Sequence, residues 1–368
     1  MNGAESSRIN RLLELMNDRG ASDLHLAVGS PPILRVYGDL EPLPYRGLSP
    51  EDFEIWVKPV ATDLYWEVCK KKGEIDFAYH LEGVGRFRVN LFKQEHGLGA
   101  VFRIVPDKVL TMQELGLTEQ VRKFAEMTQG LVLITGPTGS GKSTTLAALI
   151  DHINTTKNFH IITIEDPIEF VHENKKSLIS HRELGRHAHS FPDALRAAVR
   201  EDPDCILVGE MRDLDTISTA LRAAETGILV FGTLHTNSAA KSVDRIIGAF
   251  APEEQEETRI VLSGVLRGII SQQLLKRKEG GRVAALEILF SSGAVASMIR
   301  DNKTAMISSL IQTGKKQGMI SMDQCLQDYV QRDIVTAEEA YEKALDKESF
   351  KTFLKTNGLQ ISGRTETS

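Results

Sequence analysis

The stretch LVLITGPTGSGKSTTLAALIDHI, residues 131–153, decides the fold of this chain. It begins with an apolar run typical of a buried strand and continues with a GxxxxGKS loop at residues 136–143, after which a helix is expected. Glycines allow backbone N–H groups to close around phosphate oxygens, and the following helix turns its positive N-terminal end toward them. The pattern therefore predicts a site for a nucleoside triphosphate.

The polar residues of this loop have distinct expected roles. Lys142 is expected to reach the β- and γ-phosphates of ATP, and the Ser143 hydroxyl is expected to bind Mg²⁺. The residues predicted to bind the nucleotide are Gly136, Thr138, Gly139, Ser140, Gly141, Lys142, Ser143 and Thr144.

The composition of the chain narrows the class of protein. Its 368 residues are enough for two domains, and 41% hydrophobic and 26% charged residues are ordinary for a soluble globular protein. Without a long apolar run or a secretory signal, we expect a cytoplasmic protein with only peripheral membrane contact. The net charge of −6 argues against nucleic acid as a partner, including a motor that acts on DNA. Cys69, Cys205 and Cys325 are far apart and form no CxxC pair, which excludes a four-cysteine zinc site and a disulfide framework within one chain.

Two hydrophobic patterns divide the chain. The first part has a helical stretch and strands that alternate apolar and polar residues, among them ILRVYGDL at residues 33–40. Further on, short and almost wholly apolar strands alternate with helices, which is typical of a parallel sheet buried on both faces. The predicted fold class is α/β, with a small α/β domain at 1–106, a linker at 107–117, a parallel-sheet core at 118–290, a helical region at 291–360 and a disordered tail at 361–368.

A second strand end carries a candidate catalytic carboxylate. In CILVGEMRD, residues 205–213, four strand residues lead to Gly209 and Glu210. Hydrolysis of a nucleotide needs a carboxylate that orients or deprotonates the attacking water, and Glu210 is expected to do this. An aspartate often precedes such a glutamate, but Gly209 stands there. The alternative is that Glu210 caps a helix.

An acidic turn follows another apolar strand in TIEDPIEF, residues 163–170. Glu165, Asp166 and Glu169 would repel one another at one sheet edge unless a cation or a hydrogen-bond donor compensates. We expect Glu165 and Asp166 to belong to a metal-and-water site beside the phosphates and Glu169 to act in catalysis. An exposed acidic turn is the alternative.

A histidine ends the next apolar strand, in FGTLHTN at residues 231–237. His235 is expected at the same sheet edge as Glu210, where it could sense the γ-phosphate or link the site to a neighbouring subunit. A structural or solvated histidine is the alternative.

The order GPTGSGKST, TIEDPIEF, GEMRD and GTLHTN resembles the ATPases of the type II secretion and type IV pilus superfamily. The phrases GASDLHL, GRFRVN, VFRIVP and ALRAAVREDPD are most similar to its pilus-retraction ATPases. The resemblance implies a PAS-like N-terminal domain joined to a RecA-like P-loop ATPase domain, assembled as a homohexamer. It also implies an inner-membrane pilus platform protein as partner, and a place on the cytoplasmic face of the inner membrane at the pilus base.

Three arginines of the N-terminal domain gain a role from this resemblance. Arg86 and Arg88 are two residues apart on a strand and so project to one face, and Arg103 lies on another strand. Taken alone, this pattern is typical of a solvated strand face. The resemblance implies that these arginines approach the phosphates when the two domains close, and guanidinium groups suit that contact because they stay charged.

Two features leave alternatives open. Retraction ATPases are short and lack a tetracysteine zinc motif, as here, but their AIRNLIRE-like phrase is AVASMIRDNK at residues 294–303, with Ala296 in place of its first arginine. The alternative function is therefore an accessory or regulatory paralogue with weak motor activity, working beside a main retraction ATPase.

In HRELGRHAHSF, His181, His187 and His189 are expected in a mobile polar loop, with a metal site as the alternative.

Overall fold

The computed structural model describes residues 8–36, 38–105 and 109–359, which form two compact units. The N-terminal unit contains the described residues up to 105 together with Pro167–Val171. The P-loop unit contains residues 109–166 and 172–359. The predicted tail 361–368 and the first two residues of the predicted linker lie outside the described residues.

The N-terminal unit is a six-stranded antiparallel sheet with three helices. Its elements are α1 (Arg8–Asp18), β1 (Asp23–Ala27), β2 (Ile33–Val36), β3 (Asp39–Pro42), α2 (Pro50–Val57), α3 (Asp63–Lys72), β4 (Glu74–Leu81), β5 (Gly85–Gln94) and β6 (Gly97–Val105). The strands lie in the order β3-β2-β1-β6-β5-β4.

Alternation along the strands separates the two faces of this sheet. On β5, Phe87, Val89 and Leu91 are buried in the core of the unit, while Arg86 and Arg88 lie on the opposite face, as their spacing predicts. The prediction of a single strand for ILRVYGDL is wrong, because β2 and β3 form an antiparallel hairpin there. Gly38 has φ +101, a left-handed conformation that suits glycine in a tight turn.

The P-loop unit has a seven-stranded sheet and eleven α-helices among its described residues. Its elements are α4 (Glu119–Glu126), β7 (Gly130–Thr135), α5 (Lys142–Thr156), β8 (His160–Glu165), β9 (Leu178–Glu183), α6 (Phe191–Ala198), β10 (Cys205–Val208), α7 (Leu214–Glu225), β11 (Leu229–Leu234), α8 (Ala239–Ile247), α9 (Gln255–Val265), β12 (Leu266–Lys276), β13 (Arg282–Phe290), α10 (Gly293–Arg300), α11 (Ile307–Thr313), α12 (Met322–Gln331), α13 (Ala337–Lys343) and α14 (Lys347–Thr356).

The sheet of the P-loop unit is parallel except at one edge. Its order is β13-β12-β7-β11-β10-β8-β9, and only β13 pairs antiparallel with its neighbour. All residues of β7, β10 and β11 are buried, since helices cover both faces. This confirms the prediction that unbroken apolar strands belong to a parallel sheet.

The strand registers bring the predicted motifs to one edge. Thr135, the last residue of β7, pairs with Leu234, the last residue of β11. Val208, the last residue of β10, pairs with Gly232 on one side and with Ile164 on the other. The loops that follow these four strands therefore all leave the sheet at its carboxyl edge, where ligands bind in open α/β sheets.

The C-terminal helices pack on the β12–β13 hairpin. Leu275 and Ala285 of the hairpin share a buried apolar cluster with residues of α12, α13 and α14, among them Leu326 and Phe350. Across residues 8–36, 38–105 and 109–359, every helix is too short or too polar to cross a bilayer.

Candidate nucleotide-binding site

The phosphate loop joins β7 to α5 with a backbone that needs glycine. Gly136, Gly139 and Gly141 have φ values of +146, +76 and +84, and Lys142 begins α5 immediately afterwards. The Lys142 ammonium donates hydrogen bonds to the Gly136 carbonyl at 2.8 Å and to the Pro137 carbonyl at 3.1 Å. Lys142 and Ser143 thus occupy the first turn of α5, where the helix dipole favours phosphate.

Gln272 on β12 supports this loop from behind, and the sequence pattern did not identify it. Gln272 is 2% exposed, and its amide donates to the Ser140 carbonyl at 2.7 Å and accepts from the Thr145 hydroxyl at 2.8 Å. A Cβ at Gly136 would lie 2.2 Å from the Gln272 carbonyl oxygen, so the loop contacts β12 through its backbone as well.

A row of buried hydroxyl groups lies beside the loop. The Thr135 and Ser271 hydroxyl oxygens are 2.8 Å apart, and the Ser242 hydroxyl on α8 donates to Thr135 at 3.4 Å. The Thr236 hydroxyl, one residue after His235, is 2.6 Å from that of Ser242. These bonds connect the start of the phosphate loop to the loop that carries His235.

Glu210 lies between a histidine and an arginine. The His235 Nε2 atom is 2.9 Å from Glu210 Oε1, and Arg212 forms an ion pair with the same oxygen. Partial burial alone would raise the pKa of Glu210, but Arg212 and His235 outweigh it, and the pKa lies below its ordinary value. The carboxylate is therefore ionised at neutral pH. The alternative, that Glu210 caps a helix, is wrong: the N-cap of α7 is Asp213, which accepts the Thr216 N–H at 2.8 Å.

Glycine precedes Glu210 because the neighbouring strand is close. The Gly209 N–H donates to the Ile164 carbonyl at 2.8 Å, and a Cβ at Gly209 would lie 3.1 Å from that carbonyl oxygen and 3.3 Å from Glu165 Cα. A longer acidic side chain would crowd the end of β8.

The acidic turn is partly neutralised by Arg212. Glu165 ends β8 half-buried, and Asp166 is exposed and helps to raise the pKa of Arg212, whose main partner is Glu210. Glu169 belongs to Pro167–Val171, the segment that groups with the N-terminal unit, so the P-loop unit itself holds two of the three carboxylates. Within the described ranges, no group of three or more His, Cys, Asp or Glu side chains is arranged to hold a metal ion.

Two of the three predicted arginines, Arg88 and Arg103, lie in one row of the N-terminal sheet. Arg35, Asp23, Arg103 and Arg88 are register partners on β2, β1, β6 and β5. The Asp23 side chain, which is 5% exposed, accepts from Arg103 Nε at 2.7 Å and lies 4.0 Å from Arg35.

The polar face of this row remains open to solvent. Arg88 pairs with Asp76 at 3.5 Å, and the side chains of Arg88 and Arg103 are 41% and 64% exposed. Arg86 lies on the same face of β5.

The histidine-rich segment is more ordered than its composition predicts. His181 is on β9 rather than in a mobile loop, with Nδ1 2.8 Å from the Thr163 hydroxyl and Nε2 accepting the His172 N–H at 3.0 Å. His187 Nδ1 accepts the Glu183 N–H at 3.0 Å. The expectation of a mobile polar loop is wrong for His181, because the parallel pairing of β8 and β9 fixes its backbone.

A glycine-rich loop between a central parallel strand and a helix, with a carboxylate and a histidine at neighbouring strand ends, defines a P-loop nucleoside triphosphatase. The sequence pattern of the type II/IV secretion system protein family matches residues 72–352. The chain belongs to that family.

Relatives extend this similarity over nearly the whole chain. The type IV pilus retraction ATPase PilT of Pseudomonas aeruginosa is 51% identical over 342 residues, which are 93% of this chain and 99% of that protein. The type IV pilus ATPase PilU of the same organism is 37% identical over 331 residues, 90% of this chain and 87% of that protein. The crystal structure of the pilus retraction motor PilT with bound ADP superimposes with a TM-score of 0.87 at 45% identity, covering 95% of this chain and 100% of that one.

Proposed function

We propose that this chain is the ATPase subunit of a type IV pilus retraction motor, a cytoplasmic homohexamer at the pilus base that hydrolyses ATP to disassemble the pilus. The observation that carries the proposal is the 51% identity to a pilus retraction ATPase over 93% of the chain. The carboxyl edge of the P-loop sheet supports the chemistry, since the phosphate loop, Glu210 and His235 all follow strands that end there.

The residues of the nucleotide-binding site have separate roles in the hydrolysis of ATP. The amides of the phosphate loop and the Lys142 ammonium bind the β- and γ-phosphates. Glu210 orients the attacking water and accepts its proton as the γ-phosphoryl group is transferred. A carboxylate whose pKa is lowered is a weak base, so the orientation of the water is its larger contribution. His235, bonded to the same carboxylate at 2.9 Å, reports the presence of the γ-phosphate to the rest of the unit.

Mg²⁺ fits the chemistry of these donors. Ser143 on the first turn of α5 offers a hydroxyl oxygen, and Glu165 and Asp166 offer carboxylates from the end of β8, all hard oxygen donors of the kind Mg²⁺ prefers. When bound, Mg²⁺ supplies charge neutralisation on the phosphates. Because no protein cluster of three ligands occurs among the described residues, we assign water and phosphate oxygens the remaining positions.

The N-terminal arginines are the proposed cationic contacts to the phosphates. Arg88 and Arg103 are exposed and held in place by Asp76 and Asp23, which sets their guanidinium groups in advance. Arg86, on the same face, is the third, and Glu169 is proposed to act with Glu210. A pilus platform protein in the inner membrane and a paralogous ATPase are the proposed partners.

The second candidate is an accessory paralogue of the retraction ATPase. The altered phrase at residues 294–303 favours it, since Arg300 is kept on α10 while Ala296 replaces an arginine of the pattern. The lower identity to PilU, 37% against 51% to PilT, argues against it.

Complementation of a strain that lacks this chain tests the function. The wild type is expected to restore twitching motility. Lys142→Ala and Glu210→Gln are expected to leave excess surface pili without motility, because assembly continues while retraction stops. Surface pili are counted by electron microscopy, and purified Glu210→Gln is expected to bind ATP normally while its turnover falls about 100-fold or more.

Two outcomes would contradict the assignment. Loss of surface pili in the deletion strain would indicate an assembly motor. Normal motility in the deletion strain, together with low ATPase activity of the purified wild type, would favour the accessory paralogue.

A further inference from the structure

A buried carboxylate on the edge strand β13 joins the first turns of two helices. Glu287 is 4% exposed, and its Oε1 atom accepts the N–H of Ala239 at 2.7 Å. The N–H of Met322 also faces this carboxylate and favours its charged form. Ala239 and Met322 are the first residues of α8 and α12, so one side chain lies at the N-terminal ends of both helices.

We call the contact of Glu287 with the first turns of α8 and α12 the joint, and its chemistry suits a glutamate. Removing a carboxylate from water is costly unless hydrogen bonds and favourable charge replace the water. The Ala239 N–H supplies the hydrogen bond, and the positive N-terminal ends of α8 and α12 supply the favourable charge. Burial raises the pKa of Glu287, while the two N–H groups oppose this and Asp323 adds to it. An apolar side chain at this position could not accept the N–H of Ala239.

The joint lies close to the proposed hydrolytic pair. The loop from β11 to α8 contains His235 and ends at Ser238, the N-cap of α8, which directly precedes Ala239. His235 in turn contacts Glu210 at 2.9 Å. On the sheet, Glu287 pairs in register with Ser271, whose hydroxyl is 2.8 Å from that of Thr135 at the start of the phosphate loop.

We propose that Glu287 is a positioning residue for His235: it anchors the first turn of α8 and ties the His235 loop to α12 of the C-terminal helical region. The inference rests on the proposed ATPase function, because it assigns Glu287 a role in setting the His235–Glu210 contact. Removal of the anchor frees the start of α8, so that His235 no longer holds Glu210 in one orientation. The phosphate loop has its own support from Gln272 and keeps its affinity for ATP.

The experiment compares Glu287→Gln with Ala239→Pro. Glutamine keeps the shape of the side chain but turns an NH₂ group toward one of the two N–H donors. Proline at Ala239 removes one donor from the other side of the bond. It is compatible with the backbone, because Ser238 is extended with ψ 159 and the first helical position favours proline. Ala337→Pro, at the first position of α13 after the extended N-cap Thr336, is the matched control.

For both variants at the joint, kcat is expected to fall about tenfold or more, with KM for ATP and nucleotide affinity within about twofold of wild type. Amide hydrogen exchange is expected to increase together at residues 236–242 and 322–325 in Glu287→Gln. Thermal unfolding measures the global stability. Ala337→Pro is expected to leave kcat, KM, nucleotide affinity and amide exchange at both helix starts unchanged and to alter the thermal stability only slightly. The kcat of the double variant Glu287→Gln/Ala239→Pro is expected to be hardly lower than that of Glu287→Gln alone, because the glutamine already weakens the acceptor of the Ala239 N–H.

Several results would overturn the inference. They are unchanged exchange at both helix starts in Glu287→Gln, an unchanged kcat in folded variants, or a rise in KM that matches the loss of kcat. If the purified wild type hydrolyses no ATP, the proposed function fails instead, and amide exchange still decides whether Glu287 ties the two helices together.

Discussion

The side chains that shape the phosphate loop include one that is distant in sequence. Gln272 contacts Ser140 and Thr145 across more than 120 residues of chain, and both partners are buried. A buried carbonyl or hydroxyl that loses its partner costs about 1–3 kcal/mol, so the loop depends on this amide.

Replacement of Gln272 tests that dependence. Gln272→Leu removes both hydrogen bonds and is expected to weaken ATP binding about tenfold or more, with a smaller effect on kcat, because the loop that holds the phosphates loses its support. Titration with a fluorescent ATP analogue measures the affinity. Gln273→Leu is the control, since Gln273 belongs to the opposite face of β12 and donates to the Lys343 carbonyl. Equal affinities in wild type and Gln272→Leu would contradict the role.

The buried side chain of His172 is expected to make the stability of the protein depend on pH. His172 is 4% exposed at the side chain, and burial, aided by His181 and Lys175 and opposed by Asp151, lowers its pKa from 6.5 to about 4. Between these two values the unfolded chain binds a proton that the folded chain does not. The contribution of His172 to the free energy of unfolding should therefore be complete above pH 6.5. As the pH drops to 4, the free energy of unfolding should fall by up to about 3 kcal/mol.

Urea unfolding of wild type and His172→Gln at pH 7, 6 and 5 measures this dependence. Because glutamine does not titrate, the variant is expected to lose less of its free energy of unfolding over that range. His96→Gln, in an exposed turn, is expected to follow the wild type. Parallel curves for wild type and His172→Gln would show that His172 is not the cause.

At the scale of elements, the phosphate loop is held by two different constraints. Gly139 has φ +76 and an open surrounding, so a side chain there meets only backbone strain. Gly136 has φ +146, and a Cβ would also lie 2.6 Å from the Ser140 hydroxyl oxygen, in addition to its collision with Gln272. Glycine is therefore required at position 136 by conformation and by packing against β12, and at position 139 by conformation alone.

The pair Gly136→Ala and Gly139→Ala separates these constraints. Gly139→Ala is expected to lower the free energy of unfolding without nucleotide by about 1–2 kcal/mol, the cost of a left-handed alanine. Gly136→Ala is expected to cost at least about 1 kcal/mol more, because overpacking is added. Chemical denaturation measures both. A smaller loss for Gly136→Ala than for Gly139→Ala would refute the proposed contact with β12.

At the scale of the whole molecule, the proposed ring makes a prediction about mixed assemblies. If subunits act together, wild type co-expressed with Lys142→Ala should form rings whose ATPase activity falls faster than the wild-type fraction. Activity is measured per wild-type subunit over a series of ratios, with wild type diluted by an unrelated protein as the control. Strictly proportional activity would indicate that each subunit works alone.

Much of the fold and the candidate site is predictable from local sequence. The strand–loop–helix at residues 131–153 follows from an apolar run, glycines and a helical stretch that are contiguous in the chain. Parallel strands have their carboxyl ends at one edge, so the common location of the loops carrying Glu210 and His235 follows from the strand pattern. The hairpin at residues 33–42 was missed because its turn lies inside an alternating pattern.

By itself, the sequence determined the phosphate loop, the parallel sheet and the order of its motifs, because these depend on neighbours along the chain. Only the tertiary structure decided that Gln272 contacts the phosphate loop, that Glu287 accepts the N–H of Ala239, and that Arg212 shares Glu210 with His235. The partners of Gln272 and Glu287 lie far away in the chain and meet through strand register and helix packing. Such contacts leave no periodic signal, since a buried glutamine or glutamate is identified by what surrounds it.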